Sequence, residues 1–167
     1  MCAKALGLAA IGIADRNTLA GVVRAHAQAK KENIKLLVGA RLVTIDWFET
    51  VCYPIDRAAW ARLCRLLTAG NRRAPKGECH LSFEEICAAQ EGQIFIVMPP
   101  LVITPSFTDR LAALAAAAPG RVYLGASFLY RGDEKSRLGE LAELALEAGT
   151  PMVATGDVLY HGPERRP

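Results

Sequence analysis

The sequence predicts an α/β fold, and three observations carry that prediction. Short apolar runs such as AAIGIA at 9–14, QIFIVM at 93–98 and VYLGA at 122–126 alternate with longer stretches whose apolar positions recur every three to four residues. Cap and turn residues fall between the two kinds of segment. Parallel strands joined by crossover helices are then the simplest way to bury such strands on both faces.

The elements follow in order. The run at 9–14 reads as a strand, with Asp15 and Asn17 as possible caps for a helix over 18–31. In that helix Leu19, Val22, Val23, His26, Ala27 and the stem of Lys30 share a face. A second β-rich segment, 34–45, contains Gly39, a residue that marks a bulge or a bend in a strand. Residues 48–53 add a short antiparallel partner. A helix over 57–69 carries Trp60, Leu63, Cys64 and Leu67 on one face and meets Gly70, a typical left-handed terminator. After a polar loop at 70–78 (GNRRAPKGE), Ser82-Phe83-Glu84-Glu85 forms a capping box opening a short helix that ends near Gly92. A strand at 93–98, a helix at 106–118 with Asp109 in capping position, a strand at 122–126, a helix at 134–148 and a strand at 152–155 complete the pattern.

Composition bounds the function classes. The chain has 167 residues, enough for one domain and too few for two comfortable ones. At 51% hydrophobic and 22% charged, disorder, collagen and coiled coil are excluded. No apolar run approaches the ~20 residues of a membrane-spanning helix; the richest, 111–118, ends at Pro119-Gly120. A net charge of +3 permits contact with nucleic acid without requiring it. Five cysteines without a CxxC pair argue against a disulfide framework or a zinc knuckle, so reduced thiols in a cytoplasm are expected.

Three strings stop the pattern from being generic: GLAAIGIADRNTLAGVVRAHAQAK at 7–30, LCRLLTAGNRRAPKGECHLSFEEI at 63–86 and ATGDVLYHGPERRP at 154–167. Read in order over nearly the whole chain, they resemble the polymerase-and-histidinol-phosphatase (PHP) domain at the N-terminus of bacterial C-family DNA polymerases, in particular the error-prone branch related to the polymerase III alpha subunit. The resemblance implies a distorted (βα)7 barrel of mainly parallel strands. In active members of the family, zinc or manganese ions at the carboxyl ends of the strands hydrolyse phosphoesters. The family opens with a strand carrying His-x-His, which this chain lacks. The expectation is therefore a single partial PHP domain over 1–167, its first strand missing, with a basic loop or insertion at about 70–80.

The resemblance also places the family's ligand positions. Its Asp-His pair corresponds to Asp15-Arg16, its glutamate after the third strand to Arg41, a later histidine to about Leu129, and its Asp-x-His to Asp157-Val158-Leu159. Carboxylates survive where imidazoles do not, and fixed cations stand where dications would sit. Asp15 and Asp157 are thus relict positions, no catalytic residue is expected, and Arg16 and Arg41 are candidates to pair with those carboxylates in place of metal. Asp15 serves equally as a helix N-cap. His26 reads as a packing or surface residue, the Cys79-His80 pair lacks two further ligands, and His161 is a loop residue near the expected mouth.

Arg72, Arg73 and Lys76, with Arg62 and Arg65 on the preceding helix, form a basic cluster able to contact DNA phosphates or a solvated surface. What the resemblance implies is a scaffold within a larger polymerase used in DNA replication, repair and translesion synthesis. The parent would be a magnesium-dependent nucleotidyltransferase, and this part would need no cofactor. Its partners would be the remainder of the polymerase chain, DNA and accessory proteins, with self-association of the truncated chain and no membrane. The alternatives are a PHP-family metal phosphoesterase and a non-catalytic module that binds DNA or a partner.

Overall fold

Residues 2–128 and 132–156 are described by the computed structural model of the chain. Six strands form one sheet in sequential order: β1 (Ala10–Arg16), β2 (Lys35–Val43), β3 (Glu49–Pro54), β4 (Gln93–Val97), β5 (Val122–Ala126) and β6 (Met152–Ala154). The pairs β1–β2, β4–β5 and β5–β6 are parallel, while β3 runs antiparallel to both its neighbours. Strictly sequential order with crossover helices is the layout of a barrel wall. The short antiparallel strand expected at 48–53 is β3.

Helices α1 (Cys2–Ala5), α2 (Val22–Glu32), α3 (Arg57–Arg73), α4 (Phe83–Ala88), α5 (Pro105–Ala117) and α6 (Glu134–Glu147) fill the connections. Ala40, Leu42, Cys52, Phe95, Val97, Val122 and Leu124 pack against Leu63, Leu67, Ile86, Leu111, Leu114, Leu141 and Leu144 to make the core. Because strand side chains alternate between faces, Arg41, Val51, Ile96 and Tyr123, which are register partners in turn, occupy the opposite face. That face is only half-buried. The expectation of strands buried on both faces is therefore corrected: on the uncovered face β2 leaves Leu37 43% exposed, and on the edge strand β1 Ile11 is 42% exposed although its register places it on the helix side.

Several boundaries move for local reasons. Helix α2 starts at Val22 rather than at 18, since Asn17 is not a cap. It adopts φ 51° and uses its side-chain amide as an extra rung of the sheet, donating to Val43 O at 2.9 Å and accepting from Val43 N at 2.8 Å. The inward face of α2 is correspondingly Val22, Ala25 and Ala29, and Val23 and His26 are exposed. Helix α3 runs through Gly70 to Arg73 and stops at Ala74, whose extended backbone is what the following Pro75 demands. Gly70 is inside the helix for closeness, since a Cβ there would overlap Leu81 and Cys79. Helix α5 is capped by Thr104, whose hydroxyl accepts from Phe107 N, with Pro105 next; Asp109 lies well inside it. Gly39 makes no bulge.

Gly39 instead makes room for an aromatic ring. The Tyr53 ring lies over Gly12 and Gly39, and a Cβ at Gly39 would also collide with the Cys52 carbonyl, which cannot move without breaking the sheet. Across the other face, buried Gln93 donates to Ala59 O at 2.8 Å and accepts from Cys52 Sγ at 3.2 Å, tying the start of α3 to the sheet. Burial pushes the Cys52 thiol up to about 12, so it stays protonated and unreactive. The expected capping box is present: Ser82 Oγ accepts from Glu85 N and the Glu85 carboxylate accepts from Ser82 N.

Two expectations for stability follow. Gly39→Ala should cost about 1–3 kcal/mol through overpacking, whereas Gly139→Ala, within α6 and with open space around it, should add about 0.5–1 kcal/mol; chemical denaturation of the two variants distinguishes them. Hydrogen bonds from Arg73 and then from Ser82 N hold Glu85 below the ordinary carboxylate range. Its stabilising effect is therefore complete above the unfolded-state pKa and lost as pH falls through the depressed folded value. Glu85→Gln should flatten the acid limb of the stability profile, and Ser82→Ala should cost about 1 kcal/mol at neutral pH.

Candidate functional site

The carboxyl ends of β1, β2 and β4 and the amino end of the reversed β3 lie at one edge of the sheet, where barrel folds build their sites. Strand alternation divides the residues there. Arg16 and Arg41 are register partners and share the open face, together with Val43 and Glu49. Asp15 pairs with Ala40 and so belongs to the helix-covered face.

Asp15 is occupied structurally. Its Oδ2 accepts from Gly21 N at 2.9 Å, fastening the turn that precedes α2, and a Cβ on residue 21 would run into that carboxylate. The expected pairing of Arg16 and Arg41 with Asp157 lies outside the described residues, and Asp15 is already engaged with Gly21 N. Arg41 forms an ion pair with Glu49 on β3. The Arg16 guanidinium stacks on Trp47 at 5.3 Å from the ring centroid and makes no ion pair with a described carboxylate. Asp157, Leu129 and His161 lie outside the described residues. Among the described residues, no group of three or more His, Cys, Asp or Glu side chains is placed to hold a metal ion. Arg16 and Arg41 put two guanidinium groups in register on adjacent strands, and each would repel a dication placed beside them.

A cleft of about 960 Å³ opens at this edge, lined by Arg16, Asn17, Thr44, Trp47, Asn71 and His80 among others. Trp47 is held in a tight turn: Trp47 N donates to Thr44 O at 3.0 Å, Thr44 N to Phe48 O at 3.0 Å, and Phe48 N to Thr44 Oγ1 at 2.9 Å. Asp46 in the same turn accepts from the Thr44 hydroxyl and pairs with Arg110. Those contacts, the Thr44 hydroxyl foremost, hold its carboxyl below the ordinary range. On the far wall His80 Nε2 lies 2.9 Å from Glu78 Oε2. Cys79 beside it is pushed up by burial, away from thiolate reactivity.

The basic cluster is divided by the extension of α3. Arg72 and Arg73 are the last residues of the helix and Lys76 follows in the turn after it. Arg73 is tied to Glu85, and Arg62 to Glu91 at 2.5 Å, while Arg72 and Lys76 are exposed. Glu49 and Trp47 were missed by sequence reasoning. The signal for Glu49 was available, since an antiparallel β3 next to Arg41 puts a residue near 49 within reach. None existed for Trp47, whose place depends on a turn conformation.

No protein-family model matches the chain. Individual relatives do. It is 50% identical over 168 residues to "Error-prone DNA polymerase" of Caulobacter vibrioides, a match covering 100% of this chain and 16% of that protein. The proteins of the same name from Rhodopseudomonas palustris and Brucella abortus are 49% and 50% identical, over 98% and 99% of this chain and 15% and 16% of theirs. Among solved structures, one described as a metal-dependent phosphoesterase from Bifidobacterium adolescentis superposes with a TM-score of 0.68 at 15% identity, covering 96% of this chain and 80% of that one. An amidohydrolase from Chromobacterium violaceum superposes with a TM-score of 0.66 at 16% identity, with the same coverages. These two show that the fold is shared. The chain thus spans about a sixth of its curated relatives, shares its fold with those two solved structures, and is homologous along its whole length to one region of the error-prone DNA polymerases.

Proposed function

We propose that this chain serves as a non-hydrolytic PHP-type scaffold within an error-prone DNA polymerase. The observation that supports it best is the arginine pair. The positions the family uses for an imidazole and a carboxylate carry Arg16 and Arg41 here; Arg41 is matched by Glu49, and Asp15 is engaged with Gly21 N. Such a site resists dications and stabilises itself through side-chain pairing, as a wall for other parts of the polymerase requires. Nucleotide transfer, its magnesium and its roles in replication, repair and translesion synthesis would belong to the much larger part of those relatives that this chain does not match. The setting would be the cytoplasm. No helix among the described residues is long and apolar enough to cross a membrane.

The finer architecture belongs to the same proposal. A further strand, the first of a (βα)7 barrel, would pair along β1, whose outer edge has no partner among the described residues. The exposure of Leu8 (52%) and Ile11 (42%) beside that edge supports it.

Calorimetric titration with zinc or manganese should show no tight stoichiometric uptake, and a chromogenic phosphodiester should show no metal-stimulated turnover. Stoichiometric binding at micromolar affinity would refute the scaffold reading. In sedimentation velocity the 167-residue chain should associate as its concentration rises, and Ile11→Lys, which charges the open edge, should return it to monomer.

A further inference from the structure

We infer that the cleft between the Trp47 turn and residues 77–80 is a binding site for a nucleotide unit, its base stacked on Trp47 and its phosphate on Arg16. The inference deepens the scaffold reading by giving that scaffold a ligand, and it rests on three independent features of the cleft.

The first is Trp47 itself. It is 75% exposed and adopts φ 66°, a left-handed conformation that costs a bulky residue free energy. Within the described residues the side chain returns little for that cost: one face meets the Arg16 guanidinium and three quarters of the residue is open to solvent. An exposed indole carried on a hydrogen-bonded turn at the rim of a cleft is a stacking platform for any base.

The second is charge. Of the two guanidinium groups facing each other across β1 and β2, Arg41 is paired with Glu49, whereas Arg16 has no carboxylate partner among the described residues. Glu78 on the far wall is already in contact with His80. The chain neighbours of cleft residues Asn71 and Gly77, Arg72 and Lys76, are exposed cations without a described carboxylate partner. Arg16, with no carboxylate partner among the described residues, therefore favours an anion at its end of the cleft, and a planar guanidinium suits phosphate oxygens.

The third is size and lining. A volume of about 960 Å³ accommodates a nucleotide, and the amides of Asn17 and Asn71 with the hydroxyls of Thr18 and Thr44 add donors and acceptors for a base or sugar. The same chemistry is offered by a free nucleotide and by the end of a single strand, and the test separates them.

The test uses the 167-residue chain carrying Trp60→Phe, so that Trp47 is the sole tryptophan. Thymidine monophosphate, a short oligothymidylate, thymidine and inorganic phosphate are titrated at low salt while Trp47 emission is followed. Quenching by the monophosphate and the oligomer, with thymidine at least about tenfold weaker and phosphate silent, is the expected result. Quenching by the oligomer alone assigns the site to single strands, and comparable quenching by both assigns it to nucleotides generally; either supports the inference. Arg16→Ala should weaken binding about tenfold and Arg16→Lys recover part of it, and Trp47→Ala, read by anisotropy of a labelled oligomer, should do the same. Circular dichroism confirms that the exposed substitutions leave the fold intact. Absence of binding at millimolar nucleotide would overturn the inference. So would affinity unchanged by Arg16→Ala, or binding abolished only by joint removal of Arg72, Arg73 and Lys76. Metal uptake is measured separately, so failure of the scaffold reading and failure of this one are distinguishable.

Discussion

Everything at the carboxyl edge depends on a sheet covered by helices on one side only. Burying Leu42, Cys52, Phe95, Val97 and Leu124 beneath α3, α5 and α6 supplies the main hydrophobic driving force. Once that face is committed, the two-residue period of a strand sends every intervening residue to the other side. Asp15 and Arg16 are neighbours in sequence and are separated by this rule: the carboxylate joins the helix side and fastens the entry to α2, and the guanidinium joins the open side.

The electrostatics follow from that partition. Two arginines in register on parallel neighbouring strands repel each other at close range unless an anion or an aromatic face intervenes. β3, running antiparallel, brings Glu49 back beside Arg41, and the β2–β3 turn brings Trp47 over Arg16. A single structural choice, the reversal of β3, thereby relieves both charges and builds the rim of the cleft. The result is a barrel-wall edge whose two in-register positions on β1 and β2 both carry guanidinium groups.

Much of the fold was legible because local signals and burial agreed. The apolar runs at 93–98 and 122–126 became β4 and β5, and the Ser82–Glu85 capping box formed as written. The misreadings share a physical origin: residues with more than one use. Gly70 can end a helix or admit a close neighbour, and Leu81 and Cys79 required the second. Asn17 can cap a helix or imitate a strand residue, and Val43 supplied both hydrogen-bond partners for the second. Thr104-Pro105 is a stronger helix start than Asp109, and it was overlooked because the apolar period begins later. The candidate site was less legible than the fold, since Arg72, Arg73 and Lys76 fall within five residues of sequence while α3 and Glu85 treat them differently.

By itself the sequence determined the α/β class, the order of strands and helices and the kinship with error-prone polymerases, because these depend on periodicity, caps and strings of residues that short stretches of chain carry complete. Only the tertiary structure decided that Asp15 supports a turn, that Glu49 answers Arg41, and that Trp47 and Arg16 stack above a cleft. Those pairings join residues up to 31 positions apart, and they exist only because sheet register and one reversed strand bring them to the same edge.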